Sequence, residues 1–204
     1  IVPQGFTEID GSRIFDVEEV AVSSKDMSFD EYLEARKYLF ITVLCKGCFK
    51  PLELYLKQRN IKFSEWIKNI YNNLDKLPSG TQSVFQSFVQ GTIDELWDSE
   101  EELVTYFSKS KNYQSLLNGE RGSNVLFRHR IWMLSAMTRE WTTFVFELTR
   151  NLVLSSLKAE LHAKLEIELN SLERFVLGQV SECYTLSGLE KVTVEKFDFD
   201  ILNW

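Results

Sequence analysis

Two cysteines stand three residues apart in Cys45-Lys46-Gly47-Cys48, the spacing of a redox dithiol or of half a zinc site. The redox motif needs a strand-helix-strand setting, and zinc needs two more ligands, for which Cys183 and two histidines are the only further soft donors in the chain. Cys45 closes an apolar helix and Cys48 precedes Phe49, so burial as small hydrophobes accounts for both thiols. A small thiol or metal enzyme using Cys45 and Cys48 stands as an alternative. His129 and His162 are too far apart for the paired-histidine pattern of helical zinc hydrolases. Arg128-His129-Arg130 has the composition of an anion contact, but a solvated helix face explains it more simply. The acidic group Asp94, Glu95, Asp98, Glu100, Glu101 and Glu102 lacks the order of a calcium loop. Much of it falls in the first turn of a helix opened by Ser99, where the helix dipole favours negative charge. Phosphate-cradling glycine loops and the Gly-x-Ser-x-Gly elbow are absent, which removes the entry motifs of three large enzyme classes.

The most unusual stretch is Leu116-Leu117-Asn118-Gly119-Glu120-Arg121-Gly122-Ser123-Asn124. Two glycines around a Glu-Arg pair permit positive φ, and Ser123 or Asn124 can then cap a new helix. The plain reading is a connector. The sharper one is a docking loop, in which Arg121 makes a bidentate contact to a carboxylate or phosphate. Asn118, Gly119, Glu120, Arg121, Gly122 and Arg128 are the residues expected at such an interdomain contact. No residue stands out as catalytic, cofactor-binding or metal-ligating.

Elements that position these residues follow from local rules. Phe6 to Val22 is extended and interrupted by Asp10-Gly11, a dipeptide suited to a tight hairpin turn. A two-stranded ribbon is not stable by itself, so it must lie on helices or extend another sheet. Ser28 with Glu31 and Ser99 with Glu102 are capping boxes, and Ser64 is the expected cap of a helix carrying Trp66, Ile67, Ile70, Tyr71 and Leu74. The first of these helices is expected to bury Tyr32, Leu33, Leu39, Phe40 and Val43 and to end near Gly47. Pro51 suits a first helical turn, giving a helix from Pro51 to Arg59. After a break at Leu77-Pro78-Ser79-Gly80, Val84, Phe85, Phe88, Val89 and Leu96 form a stripe in which Gly91 is a weak point. Between Gly122 and Gly178 there is neither Gly nor Pro, which calls for two or three long helices, one with a seam of Leu161, Leu165, Leu169, Leu172 and Val176. Trp66, Phe85, Phe88, Trp132 and Phe144 fall on buried positions of helical stripes. Beyond Gly188, Val192, Val194, Phe197, Phe199 and Ile201 alternate as in a strand, expected to pair with or lie close to the amino-terminal ribbon.

Composition bounds the function. With 204 residues and 44% apolar content the chain can build a real core, and collagen, coil-only and disordered readings are excluded. A net charge of -7 argues against a general nucleic-acid binder. The longest largely apolar run, Tyr38 to Cys45, is eight residues with Thr42 inside it, short of the roughly 18 to 20 that a bilayer crossing needs. Three cysteines do not make the even framework of a small secreted protein, so a cytoplasmic setting is expected. The chain starts at Ile1 rather than Met and reads as part of a longer protein.

Three stretches carry a family resemblance. Val17-Glu18-Glu19-Val20-Ala21-Val22 with Met27-Ser28-Phe29-Asp30-Glu31-Tyr32-Leu33-Glu34-Ala35-Arg36-Lys37, then Leu116 to Arg130, and finally Phe197-Asp198-Phe199-Asp200-Ile201 resemble segments of the carboxy-terminal region of cobalamin-binding radical S-adenosylmethionine proteins. The resemblance implies a parent enzyme with a cobalamin domain and a barrel that holds an iron-sulfur cluster and S-adenosylmethionine. That barrel's Cys-x-x-x-Cys-x-x-Cys triad is missing here, as is the cobalamin Asp-x-His-x-x-Gly signature, so no cofactor is assigned to this chain. The expected fold is mainly α, a multi-helix bundle with a small β element made by the amino-terminal hairpin and carboxy-terminal strand. Its expected segments are a hairpin over 1–24, a helical domain over 25–187 and a strand over 188–204, together one domain of the longer protein. The expected function is a non-catalytic accessory domain that packs against the upstream catalytic barrel of the same polypeptide and shapes substrate access. The rival is a free-standing helical protein-protein interaction module.

Overall fold

Asp10 and Gly11 both adopt positive φ, 49° and 77°, so the two-residue turn anticipated from their types closes a hairpin of matching twist. The computed structural model that shows this describes residues 1–122, 124–155 and 161–184, with side chains described through residue 180. Strands β1 (Val2–Ile9) and β2 (Ser12–Glu18) pair antiparallel from Ile9 opposite Ser12 to Val2 opposite Glu18, with a bulge between Pro3 and Gly5. Among the described residues, apart from an isolated antiparallel bridge between Ser24 and Met27, the other elements are helical: α1 (Phe29–Cys45), α2 (Lys50–Gln58), α3 (Phe63–Tyr71), a 3₁₀ turn (Leu74–Lys76), α4 (Ser79–Asp94), α5 (Glu100–Phe107), α6 (Ser110–Leu117), α7 (Val125–Ala136), α8 (Thr138–Leu154) and α9 (His162–Tyr184). The protein is therefore mainly helical, with a small amino-terminal hairpin sheet. The anticipated strand over Val192 to Ile201, and its pairing with the hairpin, lie outside the described residues.

Helix starts follow the capping logic with two adjustments. Ser28 and Glu31 exchange both bonds of a capping box: the Glu31 amide donates to the Ser28 hydroxyl at 3.2 Å, and the Ser28 amide to the Glu31 carboxylate at 2.7 Å. Those bonds to Ser28 hold the Glu31 carboxyl below its usual range. At α5 the Ser99 hydroxyl accepts from the Glu102 amide at 3.1 Å, but the Glu102 carboxylate takes the amide of Asp98 rather than that of Ser99. Ser64 does not cap α3. The helix begins at Phe63, and Glu65 reaches back to the Lys62 amide at 3.0 Å, the acidic half of a box that needs no hydroxyl. The Pro51 ring sits in the first turn of α2, where no donor is lost.

The chain divides into two compact units, one of Ile1–Arg36 with Gln86–His129, the other of Lys37–Phe85 with the described residues from Arg130 onward. In the first unit the hairpin lies on helices. Phe15 joins Leu103, Phe107, Tyr113 and Leu116 of α5 and α6 in a core flanked by Phe6, Val17, Trp97 and Tyr106. Arg13 locks it there: its guanidinium donates to the Phe107 and Ser108 carbonyls at 2.9 and 2.7 Å, the open end of α5, and lies 4.1 Å from the Tyr113 ring centroid.

The second unit buries Phe40, Ile41, Leu44, Phe49, Trp66, Trp141 and Phe146 completely or nearly so. The Trp66 indole donates to the Thr149 hydroxyl at 2.9 Å inside this core. Glu168 of α9 receives Arg59 at 2.7 Å and the Tyr55 hydroxyl at 3.1 Å, while Arg150 of α8 pairs with Glu166 and Glu173 of α9. Three aromatic or aliphatic positions read as buried are not. Leu39, Leu161 and Trp132 are 41%, 47% and 39% exposed, because a helix stripe is buried only as far as a neighbour covers it, and Leu161 precedes the first full turn of α9. Leu165, Leu169, Leu172 and Val176 do form the expected buried seam. Leu96 lies beyond the end of α4 and is half-buried. No described helix is long and apolar enough to cross a membrane.

Candidate functional site

The loop Asn118 to Gly122 is shaped by its glycines. Gly119 and Gly122 take φ of 71° and 69°, as their types anticipate, and the Arg121 amide returns to the Ser115 carbonyl at 3.0 Å, folding the loop back over the end of α6. Asn124 caps α7 by accepting the Phe127 amide at 3.0 Å. Arg128, one turn into α7, donates to the Glu120 carbonyl at 2.7 Å and the Gly119 carbonyl at 3.5 Å. The structure thus gathers Gly119, Glu120, Arg121, Gly122 and Arg128 into one feature. Asn118 ends α6 as its exposed cap, away from the cavity walls.

Two adjoining cavities of the first unit open on this feature. One, of about 240 Å³, has Glu120, Arg121, Gly122 and Arg128 in its walls together with Trp97 and Phe107. The other, of about 340 Å³, takes in Tyr32, Arg36, Glu18, Asn124 and Leu126. Pro3, Glu95, Gly122 and Val125 border both. Glu95 is paired with Arg36 at 3.4 Å. Burial pushes its carboxyl above the usual range, against the pull of Arg36 and Arg128. Burial likewise raises the Tyr32 phenol, with Arg36 opposing and Glu95 adding to the effect. The Arg36 Nε is buried without a hydrogen-bond partner, and its guanidinium carbon lies 5.8 Å from the Phe88 ring centroid.

Gly91, anticipated as a weak point of a helix, is where α4 and α7 make their close approach. A Cβ there would sit 3.2 Å from Val125 Cγ1, 3.4 Å from His129 Cε1 and 3.6 Å from Arg128 Nη2. His129 is correspondingly 1% exposed, which overturns the reading of Arg128-His129-Arg130 as a solvated face. Its Nδ1 lies 2.8 Å from the Val125 carbonyl, an acceptor only, so Nδ1 carries the proton and Nε2 accepts from the Ser87 hydroxyl at 3.1 Å. Burial lowers the imidazole, and the Arg128 charge adds to this. Ser87 and His129 have the contact of a nucleophile and its base, but Ser87 is interior to α4, whose amides are committed to the helix and leave none for an oxyanion. The pair therefore anchors α7 on α4.

Cys45 is buried, and burial together with neighbouring Cys48 pushes its thiol up, the reverse of what a reactive thiolate needs. Among the described residues no group of three or more His, Cys, Asp and Glu side chains is placed to hold a metal ion. Glu100, Glu101 and Glu102 occupy the first turn of α5, as the dipole argument anticipates, whereas Asp94 and Glu95 of the same acidic group line the cavity. The residues that sequence reasoning missed are Tyr32, Arg36 and Glu95. No local signal marked them, since nothing in spacing links positions 59 apart. No protein-family model matches the chain, and no curated protein or solved structure matches it significantly.

Proposed function

We propose that this chain is a cytoplasmic, non-catalytic accessory domain of a cobalamin-binding radical S-adenosylmethionine enzyme, packing against the catalytic barrel and shaping substrate access. The iron-sulfur cluster, S-adenosylmethionine and cobalamin belong to upstream parts of the same polypeptide in this reading. One observation carries it. Two of the stretches that resemble the family, though far apart in sequence, supply walls of the same pair of adjoining cavities: Glu18, Val20, Tyr32 and Arg36 from the first, and Glu120, Arg121, Gly122, Val125 and Arg128 from the second. If the resemblance holds, its convergence on a cleft, and not merely on a core, supports a role at a surface the parent uses.

The docking loop then presents Arg121 and Arg128 towards the neighbouring domain, where the guanidinium fork suits carboxylate recognition. The test uses the parent polypeptide, purified anaerobically. It should carry a cysteine triad upstream, cleave S-adenosylmethionine reductively, and lose substrate turnover on Arg121→Ala while retaining its cluster absorbance. A parent without the triad, or one in which Arg121→Ala changes neither domain association nor turnover, refutes the reading. A second reading, a free-standing helical interaction module, draws on α7, where Phe127, Ile131 and Trp132 are 57%, 38% and 39% exposed. Partner capture by the 204-residue chain alone would favour it.

A further inference from the structure

The smaller cavity sets the guanidiniums of Arg121 and Arg128, neither engaged in a direct ion pair among the described residues, beside an apolar wall. Arg128 spends its Nη1 on two neutral carbonyls, and Arg121 places its guanidinium 5.2 Å from the Tyr106 ring centroid. Among the described residues neither has a carboxylate within ion-pair distance, although each guanidinium offers five N–H donors. Of the carboxylates lining the same cavity, half-buried Glu95 is paired with Arg36 and also feels the Arg128 charge, Asp94 is exposed and accepts from the Gln90 amide at 2.7 Å, and Glu120 is exposed. Pro3, Trp97, Phe107 and Val125 provide hydrocarbon on the remaining walls.

From this we infer that the cavity bounded by Arg121, Arg128, Trp97 and Phe107 is a binding site for a small organic carboxylate, its carboxyl group held by the two guanidiniums and its apolar body against the aromatic wall. The volume of about 240 Å³ accommodates a molecule of this class. A free phosphate is disfavoured on two grounds. Its second charge would face Glu95 and Asp94, and it has nothing to place against the aromatic side. An organic cation is disfavoured because Glu95, the least exposed of the cavity's carboxylates, already has its arginine. Such binding is a property of the isolated chain, whatever the chain is joined to, so its failure leaves the accessory-domain reading standing, and the reverse.

The experiment follows the arginine Nε–H and tryptophan Nε1–H resonances of the ¹⁵N-labelled 204-residue chain during titration with sodium phenylacetate, at constant ionic strength set with chloride. Saturable shifts are expected at Arg121, Arg128 and Trp97, with a dissociation constant on the order of 1 mM. Arg121→Gln should weaken binding by about tenfold, the loss that goes with a charge-assisted hydrogen bond, with its thermal melt unchanged because that side chain is half-exposed. Phenylacetamide, with the same body and no charge, should fail to bind, and inorganic phosphate should bind more weakly than phenylacetate. The assignment is overturned by an absence of saturable shifts, by phenylacetamide binding as well as the acid, by phosphate binding more tightly, or by full affinity in Arg121→Gln.

Discussion

His129 makes the folded protein sensitive to mild acid, with a sign and a ceiling that follow from its surroundings. The ring is 1% exposed, donates from Nδ1 to Val125 and accepts at Nε2 from Ser87. Protonating Nε2 would remove that acceptor and bury a charge beside Arg128, so the folded pKa lies below the unfolded 6.5. Below pH 6.5 the unfolded chain therefore binds more protons than the folded one, and stability falls with pH until the lowered folded value is reached. If the folded ring stays neutral, the loss between pH 7.5 and 5.5 is RT ln(1 + 10^(6.5 − pH)) evaluated at the two limits, about 1.4 kcal/mol as a ceiling. Glu95 works in the opposite direction. Its carboxyl is raised from 4.5, so its contribution is fully present below about that value and is lost as pH rises through the folded one. The two are separated by comparing urea unfolding at both pH values for the native chain and His129→Gln, where the difference in slope belongs to His129. Long-range ¹H–¹⁵N spectra of the imidazole should show the Nδ1–H tautomer directly. A folded-state ring that titrates at or above 6.5, or equal pH slopes in the two proteins, would refute the argument.

Three further perturbations test the packing around and beyond the cavities. Gly122→Ala should cost more than Gly119→Ala in a thermal or urea melt: each bears about 1–2 kcal/mol of positive-φ strain, but only at Gly122 would the Cβ strike Leu116, at 2.6 Å. Equal costs would mean that Leu116 gives way freely. Thr149→Val should destabilise by about 1–3 kcal/mol, because the buried Trp66 indole then has no acceptor; a Trp66→Phe, Thr149→Val double-mutant cycle checks that the loss belongs to this pair. In native protein, iodoacetamide should modify half-exposed Cys48 well before Cys45, whose thiol is buried and raised, and peptide mapping by mass spectrometry reads the order. Faster modification of Cys45 would contradict its placement.

Short-range chemistry is legible in the order of residues alone. The Asp10-Gly11 turn, the Ser28–Glu31 box, the Pro51 start, the glycine-shaped loop before α7 and the long helical stretch beyond it each depend on φ preferences or hydrogen bonds among residues a few positions apart, so residue types suffice. Half of the candidate site belongs to this class, since Gly119 to Gly122 and Arg128 are joined by contacts of eight and nine residues' separation. The other half is decided in three dimensions. Arg36 meets Glu95 across 59 positions, and Arg13 closes α5 across 94 and 95. The same holds for which sides of a helix are covered. His129 and Trp132 lie three residues apart on an α7 that is apolar on several faces, yet one is sealed and the other 39% exposed. Periodicity marks a face as apolar, but burial requires another element to lie against it, and only the packed chain supplies that neighbour.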